Sequence, residues 1–375
     1  MRSVRRSPIS RRSIYQYLSF ACLVTVVALV FSACGSDDKA SSSSSGSEEK
    51  AAAPESAPEI GVLESTEVPE VEAKSRYKIA LLAAHQADAW AISAAQAAKD
   101  YAEAHGVDLT IQDAGGYTEV QKQISQIQAA IAQKPDLIMI WATDPDAITP
   151  TLKEADKAGI KVLNFVVPAT FKAPVVTSDY VAQAERMGDA LAKSMGEKGK
   201  VISVIGGAGG YYASSLHQGL ENALKKYPDI EWAKDVQIPD FDQAKTQQTV
   251  ENWLTGNPDT TGVFVTTGLM GVGAAQAVRA AGLEDDQVKI VGSLLTDCAV
   301  LDMIREGRFS LLLGDPPVIH GELGVSTAIS MLNGDEVPDA QFPKNSIFTP
   351  DNVDQAAEEG LLTKEVSEKF LSDCL

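Results

Sequence analysis

The side chains best suited to chemistry in this sequence are aromatic rings and carboxylates that stand just after short apolar runs. Aromatic residues make up only 6% of the chain. Flat rings can hold the C–H face of a sugar while aspartate and threonine supply hydrogen bonds; alternatively, rings and a carboxylate such as Asp315 can enclose a cation. For Trp141 and Phe165, core packing at a strand end is the alternative role. We predict a ligand-binding set of Gln86, Asp88, Trp90, Trp141, Phe165, Tyr211, Tyr212, Ser214, Phe241, Thr267, Asp297 and Asp315.

No combination of residues in the sequence predicts catalysis. The four histidines, His85, His105, His217 and His320, lack the mutual spacing of metal ligands. The glycine-rich segment 206–210 lacks the third glycine of a dinucleotide-binding loop, so a turn that admits a ligand is the better interpretation. No Gly-x-Ser-x-Gly nucleophile elbow is present. We therefore predict no enzyme activity, no cofactor and no metal site. For His85, two roles stay open: contact with a ligand, or a position in an exposed loop.

The N-terminus has the features of an export signal. Five arginines precede an apolar run at 18–31 that is too short for a comfortable membrane span. Phe31-Ser32-Ala33-Cys34 ends the run with the pattern of a bacterial lipoprotein cleavage site, with phenylalanine at the usual leucine position. We predict a signal peptide at 1–34, lipidation of Cys34 and anchoring to the outer face of the cell membrane. The alternative is a signal-anchor helix with an incidental cysteine, and the Sec and twin-arginine export routes both stay open.

Composition divides the remaining chain into a spacer and a globular part. Residues 35–75 are rich in Ser, Ala, Pro and Glu and predict a flexible spacer. Residues 76–375 exceed the size that one hydrophobic core usually spans, which indicates two lobes. The formal net charge of −19 argues against nucleic-acid binding. Two cysteines, Cys298 and Cys374, follow the lipidation site. We slightly favour unpaired thiols for both, because Cys374 is the penultimate residue.

The globular part alternates short apolar runs with amphipathic stretches in two successive sets. The runs of the first set lie at 77–84, 107–112, 137–141 and 160–167, and those of the second lie at 200–205, 235–238, 262–267, 288–292 and 309–313. Continuously apolar runs are typical of parallel strands that are covered on both faces. We predict an α/β fold of two doubly wound parallel-sheet lobes, with ligands at the carboxyl ends of the strands.

The ordered motifs at these strand ends resemble those of the type I periplasmic solute-binding proteins, in the branch of the ribose-binding proteins. The resemblance covers 77–353 and rests on the following segments: Ala142-Thr143-Asp144-Pro145-Asp146-Ala147, Ala158-Gly159-Ile160-Lys161-Val162, Thr177-Ser178-Asp179, Gly206–Gly210, Asp240-Phe241-Asp242, Val291-Gly292 and Pro316-Pro317. It implies a hinge of three crossings near Ser178, Gly314 and Pro343. The N-terminal lobe would then comprise 76–178 plus 315–342, and the C-terminal lobe 179–314 plus 343–375.

The sequence departs from the ribose binders at their sugar-clamping positions. An Asp-Arg pair of the family is replaced by Val166 and Val167, and a second arginine by Ser214. Thr267-Gly268 stands in place of Asn-Asp, and Gly292-Ser293-Leu294-Leu295 in place of the late Gly-Phe-Asp; Phe241 matches. Because a buried hydroxyl without a partner costs about 1–3 kcal/mol, we expect an ordinary hexose to be held poorly unless other groups contribute.

The resemblance implies an extracytoplasmic lipoprotein that captures a small molecule for a membrane permease of the ABC type and acts as a monomer. A sugar or polyol is slightly favoured as the ligand. Two alternatives remain: a sensory binding protein that partners a membrane histidine kinase, and a binder of a small cationic amine in an aromatic cage.

The lipoprotein hypothesis predicts the behaviour of Cys34→Ala. Without the acylated sulfur, this variant should be released to the medium or keep its signal peptide, which cell fractionation and immunoblotting would detect. Cys22→Ala, which changes a cysteine inside the segment that cleavage removes, should remain in the membrane fraction. Retention of Cys34→Ala that only detergent reverses would contradict the hypothesis.

Overall fold

The structure is a computed structural model that describes residues 62–65, 67–207, 210–284, 286–294 and 297–354. The predicted signal peptide with Cys34, the first part of the spacer, Leu295 and Cys374 lie outside the described residues. No helix among the residues described has the length and apolar character needed to cross a membrane.

The described chain alternates strands and helices as the apolar runs predict. The strands are β1 (Val62–Ser65), β2 (Lys78–Ala83), β3 (Asp108–Asp113), β4 (Leu137–Ile140), β5 (Lys161–Phe165), β6 (Val175–Val176), β7 (Gly199–Gly206), β8 (Ile230–Ile238), β9 (Thr260–Thr267), β10 (Lys289–Ser293), β11 (Leu311–Gly314), β12 (Ala340–Pro343) and β13 (Ser346–Phe348). The helices are α1 (Ala89–Ala104), α2 (Val120–Gln133), α3 (Thr149–Lys157), α4 (Tyr180–Ser194), α5 (Tyr211–Leu224), α6 (Gln243–Gly256), α7 (Gly268–Ala280), α8 (Cys298–Arg305) and α9 (Pro317–Asn333).

The strands form two separate sheets, one in each lobe. The first sheet has the order β1-β12-β6-β5-β4-β2-β3, and every neighbouring pair in it is parallel. The second has the order β13-β11-β10-β9-β7-β8 and is parallel except for the antiparallel pair of β11 and β13. All four residues of β4 are buried, so both faces of the sheet are covered there. The predicted fold class is confirmed.

Helix pairs cover the sheets, and glycines permit the closest contacts between them. In the N-terminal lobe, α1 packs against α9, and in the C-terminal lobe, α4 packs against α5. A Cβ atom at Gly321 of α9 would collide with the carbonyl oxygen of Ala94 in α1, and one at Gly219 of α5 would collide with that of Val181 in α4. Both helix pairs therefore depend on a residue without a side chain.

The chain passes three times between the sheets, after Val176, after Gly314 and after Pro343. A single carboxylate joins the three passages: Asp315 Oδ1 accepts hydrogen bonds from Ser178 Oγ at 2.7 Å and from Asn345 Nδ2 at 2.8 Å. These passages form the three-crossing hinge that the sequence predicts.

Residues 67–75, predicted as the end of the flexible spacer, instead pack on the N-terminal lobe. The carbonyl oxygen of Pro69 accepts hydrogen bonds at 2.7 Å from both Tyr101 Oη and Ser326 Oγ. Val68 and Val71 pack against the core of that lobe. The predicted boundary is therefore wrong here, because two valines and a backbone acceptor suffice to bind a short segment whose overall composition is polar.

Cys298, the first residue of α8, is disulfide-bonded. The expectation of unpaired thiols is therefore wrong for Cys298. That expectation rested on the position of Cys374 at the end of the sequence. A disulfide depends instead on distance in space, and requires only that two Cα atoms lie within about 7 Å of each other.

The contact of α1 with α9 predicts different effects for two glycine substitutions. Gly321→Ala should lower the free energy of unfolding by about 1–3 kcal/mol, because its methyl group meets backbone atoms that cannot move aside. Gly256→Ala, at the open end of α6, should leave this free energy unchanged or raise it. Urea denaturation followed by circular dichroism measures both values, and equal stability of the two variants would contradict the packing described.

Candidate functional site

A small cavity of about 40 Å³ lies between the lobes. Its walls come from both lobes and from the second crossing, and many of them directly follow strands. Its lining residues are His85, Asp88, Trp90, Tyr117, Trp141, Val166, Val167, Tyr180, Tyr212, Phe241, Leu294 and Asp315. Ligands of open parallel sheets bind at the carboxyl ends of the strands, so this cavity is the candidate site.

Aromatic rings form a continuous wall from one lobe to the other. In the N-terminal lobe, the rings of Trp90 and Trp141 meet edge to face with their centroids 5.8 Å apart. Trp141 Nε1 donates a hydrogen bond to Tyr117 Oη at 3.1 Å. The ring of Tyr117 lies 6.0 Å from that of Phe241 in the C-terminal lobe, which lies 6.0 Å from the ring of Tyr212. A flat ligand would therefore meet ring faces from both lobes.

Asp315 connects this aromatic wall to the hinge. Its backbone oxygen accepts a hydrogen bond from Trp90 Nε1 at 2.8 Å, while Oδ1 accepts those of Ser178 and Asn345. Asn345 Oδ1 in turn accepts a hydrogen bond from Gln183 Nε2 of α4 at 3.0 Å. Asp315 is only 4% exposed, and its Oδ2 has no hydrogen-bond partner among the described residues. The hinge thus uses Oδ1 of this carboxylate, and Oδ2 takes no part in these hydrogen bonds.

His320 completes a buried chain of hydrogen bonds with Ser178 and Asp315. His320 Nδ1 faces the carbonyl oxygen of Pro316 at 3.0 Å, and Nε2 lies 3.2 Å from Ser178 Oγ. A carbonyl only accepts, so Nδ1 carries a proton. His320 and Asp315 therefore both contact Ser178, the residue of the first crossing.

Asp88 and His85 occupy the loop between β2 and α1. Asp88 caps α1, because its Oδ1 accepts a hydrogen bond from the Ala91 backbone N–H at 2.8 Å. Burial lowers the pKa of His85, and the negative charges of Asp88 and Asp113 oppose this effect. A lowered pKa keeps the imidazole neutral at neutral pH, and its ring packs on Trp141 with the centroids 4.7 Å apart. His85 therefore lines the cavity rather than an exposed loop.

Three buried tyrosines surround the same space as neutral phenols. Burial raises the pKa of Tyr117, Tyr180 and Tyr212, so none of them ionises near neutral pH. The negative charges of Asp88 and Asp315 raise these pKa values further. The phenol groups can therefore both donate and accept hydrogen bonds.

Each lobe places one apolar residue of the cavity wall in the left-handed backbone region. Val166 follows β5 with φ +58°, and Leu294 follows β10 with φ +63°. Such conformations cost on the order of 1–3 kcal/mol each. Val166 is held by its backbone, because its carbonyl oxygen accepts hydrogen bonds from Thr177 Oγ1 and Tyr180 Oη. Val166 is also one of the positions where the sequence departs from the ribose binders that it resembles.

Half of the predicted ligand-binding residues meet at this cavity. They are Asp88, Trp90, Trp141, Tyr212, Phe241 and Asp315. All six come from loops that follow strands or from the first turn of the helix after them, as the strand-end rule predicts. Their contact with a ligand remains a prediction.

The structure does not bring the other six predicted residues to the cavity wall. Phe165 is 1% exposed and packs against Gly324 of α9, since it points to the core side of β5. Thr267 and Asp297 use their side chains to cap α7 and α8. Gln86 precedes the cap of α1 but does not line the cavity.

Tyr211 and Ser214 line a more open depression beside the cavity. The Tyr211 side chain is 42% exposed, and Ser214 Oγ donates hydrogen bonds to the carbonyl oxygens of Gly210 and Tyr211. Both residues therefore lie outside the ring wall, because the first turn of α5 points only Tyr212 inward.

Sequence analysis missed two of the rings, Tyr117 and Tyr180. Tyr117 lies in the loop after β3, so a consistent search of strand-end loops would have found it. Tyr180 is the first residue of α4, directly after the hinge segment Thr177-Ser178-Asp179. No local pattern marks Tyr180, because its position depends on the crossing between the lobes.

Among the residues that the structure describes, no group of three or more His, Cys, Asp or Glu side chains could hold a metal ion.

Comparisons with known proteins agree with this architecture. Residues 79–336 match a family model described as a periplasmic binding protein domain. The chain is 30% identical to the ribose import binding protein RbsB of Escherichia coli K12, over 72% of this chain and 90% of that protein. It is 29% identical to a xylitol-binding protein of Mycolicibacterium smegmatis, over 72% of this chain and 76% of that protein. A solved ABC transporter solute binding protein of Mycobacterium smegmatis with bound glycerol has a TM-score of 0.67 and 28% identity, and covers 75% of this chain and 96% of that one.

The ring wall predicts a loss of affinity when one ring is removed. Phe241→Ala should weaken the binding of a sugar or polyol ligand by about 1–3 kcal/mol, because the ring contributes its face to the cavity. Isothermal titration calorimetry measures the change. Tyr227→Ala, which removes a ring from the same lobe away from the cavity, should leave affinity unchanged. Equal affinity of Phe241→Ala and the unsubstituted protein would show that the ring wall does not bind ligand.

Proposed function

We propose that this chain, which belongs to the periplasmic binding protein family, is the extracytoplasmic solute-binding component of an ABC-type importer and captures a sugar or polyol between its lobes. The observation that carries the proposal is the ring-lined cavity built from both lobes and the hinge. Relatives named for ribose and xylitol, and a related structure with bound glycerol, support this class of ligand. The protein binds its solute without transforming it.

The walls of the cavity suit a small polyhydroxylated molecule. Ring faces of Trp90, Trp141 and Phe241 can cover its C–H surfaces, and the hydroxyl groups of Tyr117 and Tyr212 can exchange hydrogen bonds with its own. Val166 and Val167 offer no polar side chain at the positions of the family's clamp. Recognition would therefore depend more on ring contacts than in the ribose-binding relatives.

Lobe closure would couple binding to transport. The rings of Tyr117 and Phe241 meet across the lobes in the conformation described, and Tyr180 Oη of the C-terminal lobe reaches the Val166 carbonyl oxygen of the N-terminal lobe at 3.2 Å. These contacts must separate for a ligand to enter. Rotation about the three crossings would open the cavity, and a bound ligand would favour the closed form, which presents both lobes to a permease.

Tethering would keep the closed protein near its permease. The lipoprotein pattern that ends at Cys34 and the polar composition of 35–61 support a lipid anchor followed by a spacer on the outer side of the membrane. A flexible chain of that length has a root-mean-square end-to-end distance of about 30 Å. We propose that the folded part works as a monomer within that distance of the membrane.

Ligand-dependent compaction tests the proposed function. Ribose, xylitol and glycerol would first be ranked by calorimetry, and small-angle X-ray scattering would then be recorded with and without saturating amounts of the tightest binder. Closure about the hinge should reduce the radius of gyration. An unchanged profile with a ligand that calorimetry proves to be bound would contradict capture by lobe closure, and the absence of binding by any sugar or polyol would contradict the ligand class.

A further inference from the structure

The cavity between the lobes is lined by two carboxylates and by no cationic side chain of the residues that the structure describes. Asp88 and Asp315 line it, and no lysine or arginine among the described residues does so. Buried carboxylates in proteins are normally paired or hydrogen-bonded, because removing their charge from water is costly. Each carboxylate of this cavity therefore needs hydrogen bonds, a cation or contact with water.

Asp315 is buried and hydrogen-bonded by the hinge, whereas the Asp88 side chain is 29% exposed and caps α1. Asp315 Oδ1 accepts hydrogen bonds from Ser178 Oγ and Asn345 Nδ2. His85 lies 3.8 Å from Asp88 Oδ2 but has a lowered pKa and is neutral. The start of α1 offsets only part of the charge of Asp88. The cavity thus has two acidic side chains in its wall and no basic side chain of the described residues opposite them.

The raised pKa values of the buried tyrosines also indicate that their surroundings in the cavity are negatively charged. Asp88 raises the pKa of both Tyr117 and Tyr212, and Asp315 raises that of Tyr180 and Tyr212. No lysine or arginine is among the groups that influence these three tyrosines. A cation placed beside the rings would therefore be attracted by both carboxylates.

Two further features favour an ammonium group over a hydroxyl group. Asp315 Oδ2 is an acceptor without a partner among the described residues, although its side chain is only 3% exposed. The rings of Trp90, Trp141 and Phe241 present π-faces, which attract a positive charge within about 6 Å of the ring centre. An ammonium group can donate to Asp315 Oδ2 and lie against a ring face at the same time.

We propose that the ligand is a sugar or polyol that carries one protonated amine, whose charge balances that of Asp88. This inference rests on the proposed function, since it specifies the ligand of the same cavity. The amine lies against the rings and donates to Asp315 Oδ2, and the hydroxyl groups of the ligand face the buried phenols. Loss of the family's arginine clamp and gain of a cation site are then two aspects of one change in specificity.

Matched pairs of probes test the proposal by calorimetry. D-glucitol and 1-amino-1-deoxy-D-glucitol differ only in one hydroxyl or amine, and D-glucose, D-glucosamine and N-acetyl-D-glucosamine add a charged amine and a neutral amide on one ring. We expect the amine of at least one pair to bind about tenfold more tightly than its hydroxyl counterpart near neutral pH. N-acetylation should abolish this advantage, because it removes the charge.

Asp88→Asn separates the effect of charge from that of structure. Asparagine caps helices as well as aspartate, so α1 should begin as before. This variant should lose about tenfold in affinity for the amine and change by less than about twofold for the hydroxyl counterpart. Asp242→Asn is the matched control, because Asp242 caps α6 in the same way and does not line the cavity. Its affinities should not change.

The outcomes distinguish this proposal from the function on which it rests. Tighter binding of the neutral member in every pair, or equal losses for both members in Asp88→Asn, would overturn the amine and leave a sugar- or polyol-binding protein. Binding of no probe from either class to the folded protein would overturn the amine and the proposed ligand class together.

Discussion

The hydrogen bonds at the Asp315 carboxylate are the interaction on which the arrangement of the two lobes depends. Asp315 belongs to the second crossing, and its Oδ1 receives Ser178 of the first and Asn345 of the third. A buried carboxylate is stable only with such donors. The same residue accepts the hydrogen bond of Trp90 through its backbone, so the hinge and the ring wall share one support.

This shared support explains how a change in the cavity can reach the hinge. A ligand group at Oδ2 would alter the charge on the carboxylate that binds Ser178 and Asn345. His320 lies fully buried behind Ser178, with Nε2 3.2 Å from Ser178 Oγ. In the proposed function, binding and closure would therefore involve the same few atoms.

The strained residues Val166 and Leu294 show that both lobes build the cavity wall in a similar way. Each follows a strand of the sheet interior, and each has a positive φ that a β-branched or bulky residue rarely adopts. The surrounding backbone holds Val166 through Thr177 and Tyr180. Apolar side chains thereby occupy both places, and the rings and the two carboxylates remain as the groups that can select a ligand.

The sequence by itself determined the fold class and half of the cavity wall, because continuously apolar runs require parallel strands covered on both faces, and ligand sites of such sheets lie where the strands end. It could not separate Trp141 from Phe165: side chains alternate along a strand, and the face toward the cavity is known only once the sheet has its neighbours. Thr267 and Asp297 looked equally suitable but cap helices, a local role that competes with ligand binding. Only the tertiary structure brought together Ser178, Asp315, His320 and Asn345, since their hydrogen bonds join three crossings that lie far apart along the chain.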